Sequence, residues 1–166
     1  MKIEDNFLEQ KELEQLQKTM LGPTFTWNFG KIDTNNDVDN FHFVHVFYAG
    51  GSPCSPHFEV LSPIFKIIQA ASLIQIKANL RTRTPNIIEN EFHVDLSFFS
   101  EEKRKQWTTS IFYVNTNNGY TKFEDGTQIE SIANRLITFP ANMEYTGTSC
   151  TDENTRVVIN FNYFKK

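Results

Sequence analysis

Cysteine, long apolar runs and excess charge of one sign are scarce in this 166-residue chain, and each shortage excludes something. The two cysteines, Cys54 and Cys150, show no CxxC and no framework spacing, so both read as free buried thiols rather than a disulfide. No apolar run approaches the length that spans a bilayer, and the start MKIEDNFLEQ lacks the apolar stretch of a signal peptide. The expectation is a cytoplasmic protein without a membrane partner. Net charge is only −4, with no basic stripe. The cluster Glu101, Glu102, Lys103, Arg104, Lys105 is mixed in sign and reads as a solvated loop, so nucleic acid is not an expected partner. Linkers, repeats and low-complexity tracts are also missing, which leaves one domain over residues 1–166.

Phenylalanine is abundant instead. Sixteen of them favour pleated, half-buried surfaces and tilt the class toward β. Apolar positions at Phe7, Leu8, Leu13, Leu16 and Met20 predict a helix over about 5–21, capped by Asp5 or Asn6 and stopped by Gly22-Pro23. Ile64, Phe65, Ile67 and Ile68 predict a second helix over about 62–71. Between them, TFTWNFG, the polar turn KIDTNNDVDN and FHFVHVFY read as strand, turn and strand. From Leu73 onward short strands follow one another: LIQIKANLR, EFHVDLSFF, SIFYVN, a TKFEDGTQIE hairpin around Asp125-Gly126, NRLITF and TRVVINFNYF. Helices followed by about eight strands fit an antiparallel barrel or jelly roll with helices packed on one side.

Two stretches carry chemistry. In His93-Val94-Asp95, read as strand, residues i and i+2 share a face, so an imidazole and a carboxylate project together. Two histidines and one carboxylate on three corners of an octahedron suit Fe(II) and leave the other positions open. In TRVVINFNYF, Arg156, Val158, Asn160 and Asn162 alternate with the apolar Val157, Ile159, Phe161 and Tyr163. Facing bulk water, that polar side needs no explanation; inside a narrow barrel, Arg156 needs an anion, and a carboxylate matches its fork. Tyr113 offers a hydroxyl to the same carboxylate, or is a buried structural tyrosine; Lys77, Asn79 and Asn160 are candidates for the same wall.

The order HVD, IFYVN, NNGYTKFEDG, NRLITF and then the arginine of TRVVINFNYF resembles the Fe(II)/2-oxoglutarate oxygenases, in their small prolyl-4-hydroxylase-like branch. The resemblance covers roughly residues 73–164. It implies a double-stranded β-helix, a distorted jelly roll that is mainly β with flanking helices. It further implies Fe(II) on His93 and Asp95, 2-oxoglutarate as co-substrate held by Arg156 and Tyr113, and hydroxylation of a peptide side chain or small molecule with release of succinate.

The pattern breaks at the family's second histidine, expected about ten residues before the arginine, where Tyr145 stands; no histidine follows His93. Three readings follow. Tyr145 ligates iron as a phenolate; or the metal sits on His93 and Asp95 alone; or the fold survives as a module that binds a 2-oxo acid or peptide without turnover. Glu144, next to Tyr145, faces the other way on a regular strand. His42 and His45 are an odd number apart, so at most one faces inward, and with His57 they read as satisfied surface or core histidines. The loops at 30–40, 81–91 and 100–107 are where a substrate would be chosen.

Overall fold

The computed structural model describes residues 1–31 and 41–166, so the loop expected over 30–40 lies largely outside the described residues. In chain order the elements are β1 (Lys2–Glu4), α1 (Gln10–Met20), β2 (Asn28–Lys31), β3 (Phe41–Ala49), β4 (Ser52–Pro53), a 3₁₀ turn (Phe58–Leu61), α2 (Ser62–Ile68) and β5 (Ala70–Thr82). There follow α3 (Glu101–Arg104), β6 (Thr108–Tyr113), β7 (Tyr120–Phe123), β8 (Gln128–Glu130), β9 (Arg135–Pro140), β10 (Tyr145–Gly147) and β11 (Thr155–Lys165). The large sheet has the order β1-β9-β6-β11-β5-β3-β2, with β4 on β3; the small one is β10-β7-β8. Their ladders are antiparallel throughout.

Strand β11 organises the molecule because it is buried on both faces. Val157, Ile159, Phe161 and Tyr163 turn to a core shared with Ile76, Ala78, Phe112 and Leu136 and with the helical residues Leu13, Leu16, Met20, Ile64 and Ile68. Each Val, Ile, Leu, Phe or Met among them contributes about 1.5–3 kcal/mol when taken fully out of water. The opposite face turns toward the small sheet, where Val158 joins Ile111, Tyr113, Phe123, Phe139 and Tyr145 in a second cluster. Two facing antiparallel sheets with helices on the outer face of the larger one make the distorted jelly roll that the sequence predicts.

Both helices are shorter than predicted. Helix α1 starts at Gln10 rather than near residue 5 because Lys2–Glu4 is drawn onto the sheet edge, with Lys2 opposite Thr138, and Asn6 turns the chain at φ 53°. The cap is Glu9, without a side-chain bond, in place of Asp5 or Asn6. Helix α2 ends at Ile68; Gln69 takes a left-handed φ of 52°, and Ala70 already pairs with Lys165. The 101–105 cluster, read as a loop, contains the single turn α3. Cys150 is buried as expected, whereas Cys54 is exposed.

The larger departure concerns EFHVDLSFF, which is not a strand. His93 makes one isolated antiparallel bridge to Tyr145, donating N–H to its carbonyl at 3.0 Å and accepting at 3.0 Å in return. Asp95 lies in the turn that follows, and Leu96 has φ 55°. The physical reason is a shortage of partner: β10 spans only Tyr145–Gly147, so the ladder stops and the chain bends. The hairpin at Asp125-Gly126 forms as predicted, with Gly126 at φ 86° and the Asp125 carboxylate accepting from Thr127 N–H at 2.9 Å.

Candidate binding site

Between the two sheets lies a cavity of about 370 Å³, within the range of small-molecule sites. At one end sits Arg156, 4% exposed. Its Nε donates to Ser131 Oγ at 2.8 Å and its Nη2 to Thr121 Oγ1 at 3.0 Å. Its guanidinium carbon stands 5.8 Å from the centre of the Tyr113 ring. Two glycines make room for it: a Cβ on Gly119 would come 2.6 Å from Arg156 Cδ, and one on Gly147 would come 3.3 Å from Nη1. Among the described residues its only hydrogen-bond partners are those two neutral hydroxyls, and no ion pair includes it. Burial pulls its pKa down from the ordinary value. A buried cation without an acid is costly until an anion arrives.

The neighbouring wall comes from β5 and β3. Arg81, 6% exposed, is directly opposite Arg156 in the β5–β11 register and donates to Asn90 Oδ1 at 3.1 Å. Burial, then the Arg156 charge, lowers its pKa to about 10. Like charges facing each other across a ladder repel. Lys77 and Asn79 line the same wall, as does His42. Burial, then the charges of Lys77, Arg81 and His93, holds the His42 imidazole down at about 4, so it is neutral near pH 7.

At the other end Asp95, 8% exposed, is the centre of a knot. Its Oδ1 accepts from the Tyr145 hydroxyl at 3.0 Å. Its Oδ2 accepts from Asn162 Nδ2 at 2.9 Å and Asn160 Nδ2 at 3.2 Å. Asn160 Nδ2 also donates to the Tyr145 hydroxyl at 2.6 Å. Burial, reinforced by the Asp95 charge, raises the Tyr145 pKa well above its ordinary value, so the phenol keeps its proton. His93 is exposed, with its ring 4.9 Å from that of Tyr145.

Thus His93, Asp95, Tyr145, Arg156, Lys77, Asn79 and Asn160 all border one cavity. Tyr113 does not border it. Fully buried beneath the Arg156 guanidinium, it donates to Thr121 Oγ1 at 2.8 Å, so its hydroxyl orients the threonine instead of meeting a ligand. Glu144 is exposed, as its place beside Tyr145 predicts. His45 is a satisfied core histidine, bonded to Thr26 O and Ser55 Oγ at 2.7 Å each. Sequence reasoning missed Arg81 and set His42 aside. The one available signal was their place on polar strand faces, and only the register brings them to Arg156.

No family model and no curated protein matches the sequence. Solved structures do match in fold. A prolyl hydroxylase from Trichoplax adhaerens, in complex with a hypoxia inducible factor peptide, aligns over 99% of this chain and 83% of its own at TM-score 0.68 and 14% identity. The viral collagen prolyl hydroxylase of Paramecium Bursaria Chlorella virus-1, a 2-oxoglutarate complex, aligns over 99% and 96% at TM-score 0.61 and 15% identity. A non-heme α-ketoglutarate-dependent epimerase of nogalamycin biosynthesis aligns over 98% and 77% at TM-score 0.66 and 11% identity. The chain therefore has the fold of prolyl hydroxylases and other 2-oxoglutarate-Fe(II) oxygenases.

The groups that this fold implies fit unequally. A carboxylate fits the Arg156 end, where guanidinium and hydroxyls surround open space. Iron does not fit the other end. Both Asp95 oxygens already accept from internal donors, the Tyr145 hydroxyl points its proton at one of them, and the nearby amides offer N–H groups that repel a cation. Among the described residues no three His, Cys, Asp or Glu side chains gather as a metal site.

Proposed function

We propose that this protein uses its oxygenase fold to bind a small 2-oxo acid or dicarboxylate of the 2-oxoglutarate class. The observation that carries the reading is Arg156, buried without an acid and facing a cavity of ligand size. One carboxylate would replace the missing counter-charge by accepting a bidentate pair of N–H bonds. Lys77 adds a positive charge on the adjoining wall. Titration calorimetry with 2-oxoglutarate is the test. Arg156→Gln is expected to weaken binding at least thirtyfold, about 2 kcal/mol. Equal affinity in the two proteins would refute the assignment.

A second reading is an Fe(II)- and 2-oxoglutarate-dependent hydroxylase of a peptide side chain or small molecule, in the cytoplasm; it requires Asp95 to give up its bonds to Tyr145, Asn160 and Asn162 to the metal. The observation favouring it is that His93 and Asp95 both reach the cavity. Succinate formation from 2-oxoglutarate under air with added Fe(II) supports it; its absence at saturating metal removes it.

A further inference from the structure

The geometry points to a pocket that works without metal: Tyr145, Asn160 and Asn162 occupy Asp95 in place of a cation, so the ligand is recognised through the carboxylate it gives to Arg156, whether or not it carries a 2-oxo group. This inference rests on the dicarboxylate reading above and narrows it.

The argument is one of hydrogen-bond direction. Thr109 Oγ1 donates to Asn162 Oδ1 at 2.8 Å, which turns the Asn162 amide so that its Nδ2 faces Asp95. On the other flank Asn79 Nδ2 donates to Asn160 Oδ1 at 3.4 Å, which likewise leaves Asn160 Nδ2 for Asp95 and the phenol oxygen. The phenol, having accepted from Asn160, donates its own proton to Asp95. Every chain of donors therefore ends on this carboxylate, the group that can only accept. A cation bound there would have to break three bonds to one residue and would then face two amide N–H groups, while His93 stays on the exposed rim. A metal-centred pocket favours 2-oxo acids because keto oxygen and carboxylate chelate the ion together. Without the ion that preference has no source.

The test uses the full chain, with Mn(II) as a probe for divalent metal. In excess EDTA, glutarate and 2-oxoglutarate are expected to bind with affinities within about threefold of each other, a difference of under 1 kcal/mol. Replacing EDTA by Mn(II) should change neither, and paramagnetic resonance should find the Mn(II) free. A tenfold tightening of 2-oxoglutarate alone by Mn(II) would overturn the inference. So would Mn(II) binding by the unliganded protein, even if neither acid bound; failure of both acids with Mn(II) left free would instead defeat the dicarboxylate reading and this narrowing with it. Stability is a second, independent readout. Asp95→Asn places a third amide among donors and should lower the melting temperature clearly. A carboxylate kept open for an ion would leave the metal-free protein unchanged or more stable on that substitution.

Discussion

Arg156 illustrates a side chain whose burial makes sense only with something else present. Its two partners are hydroxyls, and a guanidinium removed from water without a counter-charge costs several kcal/mol. Arg156→Met should therefore raise the stability of the ligand-free protein by about 1–2 kcal/mol in urea unfolding, while abolishing the gain that saturating 2-oxoglutarate confers. Destabilisation of the free protein would mean that the two hydroxyl bonds outweigh the desolvation. That the Arg156 face is polar and its neighbours' face apolar was legible from alternation alone. That Tyr113 lies under the guanidinium rather than beside a ligand was not, because depth in a barrel leaves no mark on a strand's period.

At the scale of elements, the segment leading into the first helix is pinned to the sheet at Asn134. Asn134, at φ 66°, accepts from Leu8 N–H and donates to Leu8 C=O, each at 2.8 Å, just before β9 begins. Asn134→Ala leaves a buried donor and a buried acceptor unpaired and puts a residue less tolerant of the left-handed region in that turn, at a cost of about 3 kcal/mol or more. Hydrogen exchange should show protection lost first over residues 2–20. Unchanged exchange there would mean that helix packing alone holds the segment. The helices themselves were visible in the spacing of Leu13, Leu16 and Met20 and of Ile64 and Ile68, but their ends were not. Strand pairing takes residues 70–71 from the second helix, and pairing of residues 2–4 ahead of the turn at Asn6 delays the start of the first; pairing is a property of distant partners. The same reason undoes the HVD strand, since β10 is too short to extend it.

Over the whole molecule, the cavity wall made by β3 and β5 buries His42 beside Lys77 and Arg81. In the folded chain its pKa is lowered to about 4 from 6.5, by burial first and then by Lys77, Arg81 and His93. The unfolded chain therefore takes up a proton that the folded one refuses, and stability contributed above pH 6.5 is lost as pH falls toward 4. His42→Gln should flatten the fall in urea-unfolding stability between pH 6.5 and 5 relative to the parent. An unchanged slope would mean that other groups, His45 among them, govern that range. A bound dicarboxylate should shrink the effect too, by offsetting the charges of Arg81 and Lys77.

The sequence by itself determined the class of fold and the alternation of polar and apolar faces along β5 and β11. Those follow from side-chain period and from order along the chain, which are local properties. Only the tertiary structure decided that Arg81 stands opposite Arg156, that His42 joins them, and that Asp95 is held by Asn160 and Asn162, sixty-five and sixty-seven positions away. Register between strands so far apart is set by packing and loop geometry across the whole sheet. Hence the charge of this pocket could not be read from any one strand.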